Sequence, residues 1–163
     1  MSLHPEKTRQ IEFGRHADES RRRRGLGKPE TFGFLGFTFI CSKSRSGKFL
    51  IKRKTRRDRM RVKLQAIKQE LRRRMHQPIP TQGKWLARVI RGYYQYHAVP
   101  TNNRALVEFR DSIVSRWMQV LNRRSQRRSF WRWDMRKLAQ QWLPTPSILH
   151  PWPNQRFAVR HSR

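Results

Sequence analysis

The sequence predicts a mainly α-helical fold with a minor β part: an N-terminal β-hairpin followed by a small bundle of three to four helices. Three observations carry this. Apolar residues recur at helical spacing in four segments after Thr55, two β-prone runs before it flank a glycine-bearing polar link, and prolines punctuate the helical segments. No period of about 20 to 50 residues repeats, so a solenoid is excluded.

Taken in order, residues 7–13 (KTRQIEF) alternate enough for one short strand, and the charged residues 14–28, with RRRRG at 21–25, read as a loop. Residues 32–40 (FGFLGFTFI) are aromatic and β-prone, 42–48 (SKSRSGK) form a turn-rich link, and 49–54 (FLIKRK) resume strand character, giving a hairpin. From Thr55 the period changes. Met60, Leu64, Ile67, Leu71 and Met75 share one helical stripe, with Arg61, Lys68 and Arg72 on one flank and Arg59 and Lys63 on the other; Pro78 and Pro80 are expected to end this helix. A second helix over 83–97 buries Trp85, Leu86, Val89, Ile90, Tyr93, Tyr94 and Tyr96, opposite Lys84, Arg88, Arg91 and Gln95. A third, capped by Asn102 or Asn103, runs to about Arg124 on Leu106, Phe109, Ile113, Trp117, Val120 and Leu121. A fourth over about 130–142 carries Trp131, Met135, Leu138 and Trp142 and stops at Pro144 and Pro146.

A length of 163 residues suits one domain with a core, or one domain plus an appendage. The composition shifts suggest residues 1–54 with the hairpin, 55–143 as the helical domain, and 144–163 as an irregular basic tail. The 39 basic residues against 10 acidic ones give a formal charge of +29, spread along the chain, so the compact state repels itself unless a polyanion neutralises it. Six Trp, nine Phe and three Tyr argue against a disordered chain. The single cysteine, Cys41, fits a reducing compartment, bacterial cytoplasm or an organelle interior. The longest uncharged apolar run, 31–42, falls short of the roughly 18 residues of a spanning helix, and no signal-peptide core precedes it; a soluble protein without membrane contact is expected.

Catalytic signatures are sparse. The ten acids include no Asp-Asp or Asp-x-Asp pair to hold divalent metal, and the adjacent Asp18 and Glu19 fall in the expected loop. The six histidines lack metal-ligand spacing, no Gly-x-Ser-x-Gly elbow or phosphate-binding glycine loop occurs, and no cofactor is expected. What remains is cations beside aromatics. Guanidinium forks bind phosphate bidentately and stack on bases, chemistry suited to RNA. The candidate RNA-binding residues are Lys52, Arg53, Lys54, Arg56, Arg57, Arg61, Lys68, Arg72, Arg91, Arg123, Arg124, Gln126, Arg127 and Arg128, with Tyr94 as a stacking candidate. Trp85, Trp117 and Trp142 stand at core spacing and are expected to pack instead.

Several segments resemble, in order and spacing, the C-terminal part of group II intron-encoded reverse transcriptase/maturases. KTRQIEFGR at 7–15 and KPETF at 28–32, leading into FLGF at 34–37, resemble the end of the palm; RGYYQY at 91–96 and LNRRSQ at 121–126 resemble the maturase-specific thumb, domain X; HPWP at 150–153 is similar to the tail of some bacterial members. The resemblance covers residues 7–143. It implies a mobile-element protein whose partner is structured intron RNA, with the thumb holding the ribozyme in its folded form during RNA splicing. The family's Tyr-x-Asp-Asp active site has no counterpart between Met1 and Arg163, so the chain as it stands is not expected to be an enzyme. The expected origin is a truncated or split reading frame. Three alternatives stay open at this point: the thumb half of a split RNA-directed DNA polymerase completed by an upstream fragment, a non-functional remnant, and charge-driven binding to any nucleic acid.

Overall fold

The computed structural model describes residues 10–124, 129–153 and 155. Its element order is α1 (Ala17–Arg23), β1 (Phe32–Phe34), β2 (Phe37–Lys43), β3 (Phe49–Thr55), α2 (Arg57–Arg73), α3 (Ile79–His97), α4 (Asn103–Arg124) and α5 (Arg132–Trp142). The fold is mainly α with a minor β part. Residues cluster into two compact units, Met1–Lys54 and Thr55–Arg163.

The first unit is a three-stranded sheet in the order β1-β2-β3. The run expected as one strand over 32–40 is two strands folded back on each other. Phe32 pairs with Phe39 and Phe34 with Phe37, leaving Leu35 and Gly36 as a two-residue turn with φ of 45° and 76°. Positive φ at both positions is the type I′ geometry whose twist matches the strands. The register puts Phe32 and Phe39 in a stack with centroids 5.0 Å apart, and Phe13 meets Phe32 edge-on at 4.8 Å. Residues 10–13 are irregular, so this end of the expected 7–13 strand does not form; 7–9 lie outside the described residues.

The expected loop over 14–28 contains α1. Asp18 and Glu19 occupy its first turn and Arg21, Arg22 and Arg23 its last, matching the helix dipole at both ends. Its stop is a Schellman motif: Gly25 at φ 68° donates to the Arg22 carbonyl (3.0 Å) and Leu26 to that of Arg21 (2.8 Å).

The second unit is a four-helix assembly in which α2 packs on α4, and α5 on α3 and α4. Leu71, Leu86, Ile90, Leu106, Phe109, Ile113, Trp117 and Leu121 are fully buried at its centre. These are the apolar stripes of the sequence, closed against each other. Helix α2 ends at Arg73, well before the prolines, and α3 starts at Ile79 with Pro80 in its first turn. Pro80 therefore opens α3 instead of ending α2, since a first-turn residue needs no amide donor.

A buried glutamine organises the junction. Gln82 Nε2 donates to the carbonyls of Arg74 (3.0 Å), Met75 (3.2 Å) and Gln77 (2.9 Å), while its Oε1 accepts from Trp117 Nε1 (2.8 Å). One side chain thereby satisfies the chain leaving α2 and the only polar atom of the central indole. At the far end, Asn102 accepts from the Thr55 amide through Oδ1 (2.9 Å), and its Nδ2 donates to Thr55 Oγ1 and the His97 carbonyl (2.8 Å each). Residues 144–149 are irregular, and the amides of Leu149 and His150 both donate to the Ala98 carbonyl. Among the described residues, no helix is long and apolar enough to cross a membrane.

Candidate nucleic-acid interface

At 100° per residue, Arg57, Arg61, Lys68 and Arg72 fall within an arc of about 60° along α2, beside the buried Leu64, Ile67 and Leu71. Arg57, Arg61 and Arg72 are exposed and Lys68 half-buried. On α4, Arg116 and Arg123 stand two turns apart and flank its buried stripe in the same way. Packing α2 on α4 sets Lys68 and Arg72 opposite Arg116 and Arg123 on the two banks of one groove of about 400 Å³, lined also by Gln119, Val120 and Asn122. Arg57 and Arg61, on the same α2 row, are not among its lining. A neighbouring hollow is lined by Arg72, Met75, Val120 and Arg123.

No carboxylate lines this groove, and among the described residues none of Lys68, Arg72, Arg116 or Arg123 has a carboxylate partner. Of the four acids on α2 and α4, three are paired with other cations, Asp58 with Arg56, Glu70 with Arg74 and Arg73, Glu108 with Arg104, and the fourth, Asp111, is not among the groove's lining. Arg116 is held by Nη1 donating to the Ser112 carbonyl (2.8 Å), and its buried Nε has no partner among the described residues. Four cations without counter-charge repel one another, a cost that a polyanion in the groove removes. The side groups are long, flexible donors beside two amides, a lining suited to phosphate and ribose oxygens.

The other residues expected at an RNA surface separate into distinct places. Arg91 is exposed on α3 in a row with Lys84, Arg88 and Gln95, away from the α2–α4 groove. Arg56 precedes α2 and is engaged in a two-point pair with Asp58, Nε to Oδ1 at 3.1 Å and Nη2 to Oδ2 at 2.6 Å. The Arg56 hydrogen bonds hold the Asp58 carboxyl below its ordinary range, so this arginine is compensated in the free protein. Arg124 is half-buried with Nη1 on the Gln77 carbonyl (2.9 Å), a bracing role within the bundle. Lys52, Arg53 and Lys54 lie on β3 in the first unit, where strand alternation sends Arg53 to the face opposite Lys52 and Lys54. Gln126, Arg127 and Arg128 lie outside the described residues.

Tyr94 is corrected most sharply: it is 3% exposed, and burial raises its phenol to about 12. A ring inside the core cannot meet a base. The tyrosine presented to solvent is Tyr96, 50% exposed. Of the three tryptophans expected to pack, Trp117 is fully buried, while Trp85 and Trp142 pack partly exposed against the core.

Sequence reasoning missed Arg116, although its spacing of seven from Arg123 is a helical-face signal. It also missed a concavity of the first unit, where Arg15, Arg22, Lys28, Lys43 and Lys48 surround Ile40, Cys41 and Phe49. No group of three or more His, Cys, Asp or Glu residues among the described ones is placed to hold a metal ion. Compared with protein-family models, curated proteins and solved structures, the chain matches none.

Proposed function

We propose that this chain is an RNA-binding module of the group II intron maturase type, which grips structured intron RNA through phosphate and ribose contacts and leaves splicing chemistry to the RNA. The observation that carries the reading is the α2–α4 groove, where four cations without carboxylate partners face each other across one cleft. The motifs at 91–96 and 121–126 supply the choice of intron RNA over other polyanions. In this reading the chain works in the cytoplasm of a bacterium or inside an organelle, and no polymerase chemistry belongs to its residues.

The test is binding of the purified chain to a folded group II intron transcript across a salt series. Each phosphate contact contributes about 0.7 to 0.9 to the log-log salt slope, so Lys68→Ala with Arg72→Ala and Arg123→Ala should lower the slope by about 2 to 3 and leave helix content intact. A slope unchanged in the triple variant overturns the assignment of the groove. The +29 balance favours a second reading, charge-driven binding to any nucleic acid. Duplex DNA competing as well as the intron at fixed salt would select that second reading.

A further inference from the structure

Helix α5 divides into two faces of opposite character. Met135, Leu138, Ala139 and Trp142 fall on one arc and join the core. Arg132, Trp133, Arg136, Lys137 and Gln140 fall on the opposite arc, about 140° wide, and all five are exposed. Trp133 is 58% exposed at the middle of this cationic surface, and Trp131, just before the helix, is 68% exposed.

An indole on the water side of a helix adds nothing to the core and leaves a large apolar area hydrated, an unfavourable placement that marks contact surfaces. Its neighbours decide the kind of contact. Lys137 Nζ lies 4.8 Å from the Trp133 ring centroid, and among the described residues none of Arg132, Arg136 or Lys137 has a carboxylate partner. A flat ring flanked by unneutralised cations fits an unpaired nucleotide, which offers a π-face and a phosphate at adjacent positions. A duplex offers the phosphates without the exposed base face.

We propose that the outer face of α5 binds unpaired nucleotides of RNA, with the Trp133 indole stacking on a base and Arg132, Arg136 and Lys137 meeting the adjoining phosphates. This rests on the proposed function for its ligand class, and it adds a site separate from the groove residues. Affinity of the full chain for a short oligouridylate and for a blunt RNA duplex, at one salt concentration, tests it. Trp133→Ala should weaken oligouridylate binding about tenfold and leave duplex binding unchanged, with Trp133→Phe retaining most of the affinity. Photo-crosslinking of the unaltered chain to an oligouridylate carrying 4-thiouridine should map to the peptide containing Trp133, a readout independent of any variant's folding. Duplex binding through the groove with no Trp133 effect and no crosslink there overturns the α5 site alone. Failure of the unaltered chain to bind either RNA overturns both readings. Self-association abolished by Trp133→Ala would make this face a protein contact and overturn the proposal.

Discussion

Trp142 lies so close to Gly83 that a methyl group on the glycine would fall 2.6 Å from the indole Cγ and 2.9 Å from Cβ. The two residues are where α3 and α5 approach, and the glycine is required for what it lacks. The obstruction is the root of the indole, not a flexible tip, so it cannot simply swing aside.

Gly83→Ala is therefore expected to destabilise the helical unit by about 1 to 3 kcal/mol, the usual range for overpacking. Combining it with Trp142→Leu should recover part of that loss. Urea unfolding of both singles and the double measures the coupling; strict additivity would mean the contact is relaxed at no cost.

Gln82→Met keeps the side-chain length and removes the four hydrogen bonds of the glutamine side chain. The Met75 carbonyl and the Trp117 N–H then lose their partner, while the Arg74 carbonyl keeps the Gln77 amide and the Gln77 carbonyl keeps Arg124. A loss of about 2 to 4 kcal/mol is expected from the groups left unsatisfied. Chemical denaturation at neutral pH reads this directly, and a change within about 0.5 kcal/mol would show that other donors replace the glutamine.

Burial lowers His97 to about 4 from its ordinary 6.5. The neutral ring shares a hydrogen bond between Nδ1 and Thr55 Oγ1 at 3.3 Å and lies tilted against Tyr93 with centroids 4.2 Å apart. The folded state resists protonation more than the unfolded chain, so stability is full above pH 6.5 and falls as pH drops from there towards 4. Because the ring is only half-buried, a loss of about 1 to 2 kcal/mol is expected, less than the full shift implies. Unfolding free energies across that window should slope in the unaltered chain and flatten in His97→Gln. An identical slope in both would assign the acid sensitivity to other groups.

Leu35 holds a positive φ of 45° without a side chain suited to it. Leu35→Asn places Asn-Gly in the β1–β2 turn, and should stabilise that hairpin by about 0.5 to 1 kcal/mol. Amide exchange of residues 32–39 should slow accordingly; faster exchange would mean that the leucine makes compensating contacts.

That turn also shows where reading a sequence reaches its limit. The helices from Arg57 onward were legible because wide apolar stripes repeat over three to six turns, and Leu71, Ile90 and Trp117 went where their spacing put them. Leucine is not a turn former, so the fold-back at Leu35 and Gly36 looked like continuous strand. In α1 the arginine run obscured ordinary helix signals, acids first, bases last and Gly25 after. Polar residues read as surface, which hid Gln82 at the centre of the bundle. Lys68, Arg72 and Arg123 were visible as cations, but their meeting in one groove depends on α2 packing against α4. Arg124, on the Gln77 carbonyl, and Tyr94, buried on α3, could be sorted from their neighbours only by tertiary packing.

The Gln82 junction bears on binding as well as on folding. It fastens the end of α2 to the middle of α4, the two helices that carry the opposing banks of the cationic groove. The gap between those banks is therefore set before any ligand arrives, and a guest does not have to spend part of its interaction energy aligning them. Loosening the glutamine should consequently slow capture and hasten release even where every charged side chain is intact.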